Sequence, residues 1–69
     1  MSRDYKLRLL DEYRDLNRKI AKLGVFLDND AEGKIPSERE KLLKEQLETM
    51  LHYEEILFRR LVIEMGEEI

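Results

Sequence analysis

Residues 28–40 read DNDAEGKIPSERE, and almost every helix-breaking residue of the 69-residue chain lies in them. Asp28, Asn29 and Asp30 favour turns, Gly33 tolerates positive φ, and Pro36 cannot continue a helix already under way. Ser37 and Glu40 have the S-x-x-E spacing of a capping box, in which a hydroxyl and a carboxylate reciprocally satisfy the first amides of a new helix. One helix should therefore stop near residue 28 and another start at Ser37. The expected fold is all-α: an antiparallel hairpin of two long helices, about residues 3–27 and 37–65, joined by a connector over 28–36 and forming one domain over residues 1–69.

The same stretch has some features of a calcium loop. Asp28, Asp30 and Glu32 fall at positions 1, 3 and 5 of a twelve-residue loop, with Gly33 at 6. Position 12, where a bidentate glutamate belongs, is Arg39, and Pro36 occupies position 9. The pattern reads as an acidic connector, and no metal site is assigned.

On the first helix, Leu9, Tyr13, Leu16, Ile20, Leu23 and Leu27 keep a 4-3-4-3-4 spacing, a heptad seam, after Ser2 as an expected N-cap. Beside it Tyr5, Glu12, Lys19 and Phe26 recur every seven residues. The second helix carries Leu43, Leu47, Met50, Glu54, Leu57, Leu61 and Met65, widened by Leu51 and Phe58, and should end near Gly66 as a C′ residue. Leu7, Leu10, Ala21 and Val25 on one helix lie off the seam, as do Leu42, Tyr53, Ile56 and Ile63 on the other. One helical neighbour cannot cover that much apolar surface, so the hairpins should assemble as a dimer or higher helical-bundle oligomer.

Composition narrows the function. There is no cysteine and one histidine, which removes disulfides and thiolate or histidine-rich metal sites. A net charge of −3 argues against general nucleic-acid or anionic-membrane binding, though a local basic pocket for a small anion remains compatible with it. No apolar run is long enough to span a bilayer, and MSRDYKLR lacks the apolar segment of a signal peptide, so the expected location is cytoplasmic. His52 points away from the seam, and no nucleophile motif, glycine-rich phosphate loop or Glu-x-x-His pair is present. The chain does not read as an enzyme, and no cofactor is expected.

Binding residues stand out better. Gln46, Tyr53 and Arg60 recur at seven-residue spacing along one edge of the second seam, following Arg39. Arg14, Arg18, Lys19 and Lys22 add charge on the first helix. Amide, phenol and guanidinium groups on one edge suit a nucleotide, with the ring against a base and arginine on phosphate. The plainer alternative is a polar bundle rim whose members pair with Glu12, Asp15 and Glu55. Glu54, near the middle of the second apolar face, reads either as a register-fixing carboxylate with a partner or as a polar group in a ligand pocket.

Two patterns then carry a resemblance. Leu9, Glu12 and Leu16, followed by Arg18, Ile20, Lys22-Leu23 and Phe26-Leu27, are one half. Leu42-Leu43, Gln46, Met50, Tyr53, Leu57 and Arg60 are the other. Over residues 5 to about 61 the chain resembles small two-helix proteins of crAss-like phages, also found in phages of Firmicutes. The resemblance implies an oligomeric phage hairpin acting as an anti-defence sponge in the infected host's cytoplasm. Such a sponge holds cyclic nucleotides or ADP-ribose-derived immune signals between subunits without cleaving them. It makes Arg18, Gln46, Tyr53 and Arg60 the ligand-binding candidates, with Tyr13 and Glu54 behind them. The competing expectation is a protein–protein interaction module with no small-molecule ligand.

Overall fold

A computed structural model describes residues 3–30 and 33–66, together with the side chains from Asp4 onward in that range. Two helices, α1 (Arg3–Asp28) and α2 (Ser37–Gly66), pack antiparallel into a rod of 50 × 15 × 14 Å. The hairpin expected from residues 28–40 is the fold.

The turn is organised by Asp30. Its carboxylate accepts the amides of Lys34 at 2.8 Å and Ile35 at 3.4 Å, and its carbonyl accepts the Gly33 amide at 3.2 Å. Gly33 takes φ +63°, the left-handed conformation its missing Cβ permits. Asp30 therefore spends its oxygens on backbone. Glu32, a further member of the calcium pattern, lies outside the described residues, as does the Ser2 cap.

α2 starts at Ser37 as expected, but its ends are capped differently. The Pro36 carbonyl accepts the Glu40 amide at 2.9 Å, which places Ser37 inside the first turn rather than at its cap. Glu40 correspondingly turns down the helix, to Lys44 Nζ at 2.8 Å. A proline that lacks an amide but keeps its carbonyl can fill the capping position without forfeiting a hydrogen bond, and this displaces the expected box. At the other end Gly66, expected just beyond the helix, is itself helical.

The core is narrow. Leu9 and Leu16 of α1 meet Leu57 and Leu61 of α2, and Leu57 is fully enclosed. Tyr5, Leu10, Tyr13, Ile20 and Met50 pack around them. The two heptad seams thus face each other. Leu51, Phe58 and Met65, which widen or end the second seam, stay exposed.

Candidate functional site

Residue spacing and the hairpin's register jointly build a polar rim. Arg60 Nη2 donates to the Tyr5 hydroxyl at 2.7 Å, and the Tyr53 hydroxyl bonds the carboxylate of Glu12 one heptad away. Each pair sums to 65 in residue number, so the two seven-residue strips are antiparallel neighbours. Continuing the register sets Lys19 opposite Gln46 and Phe26 opposite Arg39. Phe26 and Arg39 indeed line one depression of about 310 Å³ at the turn, with Asn29, Asp30, Lys34, Ile35 and Pro36.

The electrostatics follow from the pairing. Donating its hydroxyl proton to the Glu12 carboxylate holds the Tyr53 phenol above the usual tyrosine range, reinforced by partial desolvation and the carboxylate's charge, while Arg60 pulls the other way. Arg60 is held more firmly protonated by its bond to Tyr5, with Glu12 and Tyr53 contributing. Tyr5, Arg8, Leu9, Glu12 and Arg60 line a shallow groove of about 250 Å³. Two guanidinium side chains therefore border it, one of them positioned by a phenol.

The six expected ligand residues fall in three places. Gln46, Tyr53 and Arg60 lie on the rim, where Gln46 Nε2 approaches Met50 Sδ at 3.8 Å. Tyr13 and Glu54 are on the opposite side of the seam. Tyr13 packs on Phe58 with ring centroids 6.2 Å apart, and Glu54 is half-buried. Arg18 is on the outer face of α1, bound to Asp15 at 2.8 Å. A larger depression of about 730 Å³ includes Arg18, but α1 alone forms it, and Asp11, Glu12 and Asp15 make it a poor host for phosphate. Asp15 also holds Lys19 at 3.3 Å, and Lys19 chiefly, with Arg18, keeps its carboxyl below the ordinary range.

The plainer alternative is visible as well. Glu12 meets Tyr53, Asp15 meets Arg18, and Glu55 meets Arg59 at 2.8 Å. These surface contacts are solvated and individually weak, so they leave the side chains available to a stronger partner. Tyr5, Arg8 and Glu12 are the polar groove residues not singled out as ligand contacts from sequence. The seven-residue recurrence of Tyr5 and Glu12 was the signal, and the register was the missing piece.

Catalysis and metal binding gain nothing from the arrangement. Among the described residues no group of three or more His, Cys, Asp or Glu side chains converges on a metal position, and His52 is exposed.

A profile of one protein family, Sequestin, matches residues 3–63, spanning both helices and the whole rim. The chain belongs to the Sequestin family. No curated protein and no solved structure matches it. The family name denotes sequestration, that is, binding rather than conversion. Among the described residues, no helix of this Sequestin-family chain is long and apolar enough to cross a membrane.

Proposed function

We propose that this chain is a phage anti-defence protein that sequesters a nucleotide immune signal, a cyclic nucleotide or an ADP-ribose derivative, at subunit interfaces without cleaving it. The infected host's cytoplasm is where such a signal would be met. The observation that carries the reading is Arg60, fixed by Tyr5 over a groove that Arg8 also borders. A positioned guanidinium binds phosphate through two parallel hydrogen bonds, and Tyr53 one heptad away offers a ring to a base. Family membership supports retention over turnover.

The groove of about 250 Å³ is smaller than the roughly 300–1,000 Å³ of ordinary small-molecule pockets, and it is open. A neighbouring subunit would supply the second wall. Arg18, Tyr13 and Glu54, which one hairpin keeps away from Arg60, would reach the ligand only from such a neighbour.

Native mass spectrometry with a panel of cyclic and ADP-ribose-derived nucleotides tests the proposal. The expected result is a discrete mass shift at fixed stoichiometry, with the nucleotide recovered intact. Arg60→Ala should weaken that binding about tenfold or more, the size of a lost charge-assisted hydrogen bond, at unchanged oligomer mass. Retained affinity would remove Arg60 from the site. A second reading, a module that binds a protein helix, is favoured by the exposed Leu42, Ile56 and Ile63 beside the rim. It predicts indifference to the whole panel and capture of a single polypeptide.

A further inference from the structure

The groove beside Arg60 holds more than cations. Along the helices Lys19, Lys44 and Arg59 each meet the acid one turn earlier, Asp15, Glu40 and Glu55, within 3.3 Å. Among the described residues the two guanidiniums of the groove have no such partner. Arg60 is bonded to the neutral Tyr5 hydroxyl, and Arg8 forms no ion pair although Glu12 follows it by one turn. Base before acid is the weaker order for an i,i+4 pair, because it opposes the helix dipole. Glu12 is committed across the hairpin instead, where it accepts the Tyr53 hydroxyl. A carboxylate thus stands in the wall of a groove whose two cations no acid touches.

We infer that Glu12 reads a hydroxyl of the ligand, so that the groove takes phosphate carried on a ribose and turns away bare anions. An ionised carboxylate accepts hydrogen bonds and donates none, and it has about four lone-pair sites. Tyr53 fills one of them and holds the carboxylate in place. The others have no partner among the described residues, and Glu12 lines the groove. An anion gripped by Arg8 and Arg60 is repelled by Glu12 unless the same ligand brings it a donor. The cis-diol of a ribose brings two on neighbouring carbons, and an acid on a ribose hydroxyl is a recurrent contact in dinucleotide-binding folds. A deoxyribose brings one fewer, and a bare tetrahedral anion such as sulfate brings none.

This role for Glu12 rests on the sequestration reading of the groove and adds selectivity to it. Small anions that would otherwise fill two unneutralised guanidiniums are kept out, and the site stays open for a ribose-borne phosphate.

The test is a titration of the isotope-labelled full chain with AMP, 2′-deoxy-AMP and sulfate at constant ionic strength, followed at the signals of Arg8 and Arg60. The wild type should bind AMP about tenfold more tightly than 2′-deoxy-AMP, the size of one charge-assisted hydrogen bond, and sulfate most weakly. Glu12→Ala should bring the two nucleotides level and tighten sulfate. Glu12→Gln, which keeps an acceptor and loses the charge, should retain part of the preference for AMP while also admitting sulfate. Glu12 is exposed, so signals away from the rim should stay in place and report an intact hairpin. A wild type that binds both nucleotides equally would overturn the role of Glu12 and leave the sequestration reading standing. Equal weakening of all three probes by Glu12→Ala would make Glu12 a prop of the groove and overturn it too. If no probe moved Arg8 or Arg60, the groove would not be an anion site, and the sequestration reading would fall with the inference.

Discussion

Tyr53 meets Glu12 across the hairpin through a single hydrogen bond, and that bond sets an alkaline limit on the rim. The phenol must keep its proton to donate to the carboxylate. Its folded pKa lies above the unfolded value of about 10, so the contact's contribution is complete below about pH 10 and is lost as pH rises through the folded value. In a phenolate absorbance titration one of the three tyrosines should therefore ionise late. Glu12→Ala should bring that transition down, because it removes both the acceptor and the charge. A late transition that persists in Glu12→Ala would assign the shift to another cause. At this scale the sequence was half legible. The recurrence of Gln46, Tyr53 and Arg60 could be read directly, because helical spacing fixes which residues share an edge. Their partners Tyr5 and Glu12 could be placed on a strip of their own, but nothing local to either helix states which heptad of one faces which heptad of the other. Arg18 shows the converse limit: the resemblance makes it a ligand candidate, whereas its nine-residue offset from Leu9 turns it to the outer face.

The elements were almost wholly legible, since a turn rich in Asp, Asn, Gly and Pro between two heptad seams leaves few alternatives. The exception is the start of α2. Ser-x-x-Glu marks a cap only if the serine precedes the first turn, and the i→i+4 bond from Glu40 to the Pro36 carbonyl puts Ser37 inside it. The turn itself depends on Asp30 and Gly33. A Cβ on Gly33 would meet no atom within 4 Å, so Gly33→Ala is opposed by backbone conformation alone. The expected cost is about 1 kcal/mol, read from denaturant unfolding, with the helix content of the folded state unchanged. Asp30→Ala should cost about as much, by removing the acceptor for two amides, and Asp30→Asn should recover part of it. If Gly33→Ala were neutral, the φ of +63° would not be what holds the turn.

For the whole molecule the governing quantity is how little one hairpin buries. Leu57 is fully enclosed between two helices, and Leu57→Ala should cost about 2–5 kcal/mol, enough to unfold a small domain of ordinary stability. Against that narrow core, eleven large apolar side chains are exposed among the described residues. A rod that hides four leucines and displays so much else gains most of its remaining stability by association, and association ties melting to concentration. Each tenfold dilution of a dimer costs about 1.4 kcal/mol of its stability. In a domain of this size that should lower the melting temperature by a few degrees per decade of concentration. Phe58→Glu should melt lower and show no such dependence, since its unfolding would be unimolecular. Arg60→Ala should keep the wild-type dependence, because the rim and the apolar face lie on opposite sides of the same pair of helices. A wild type whose melting temperature ignores concentration would place the stability within the single hairpin, and would leave the exposed face to a partner other than the chain itself.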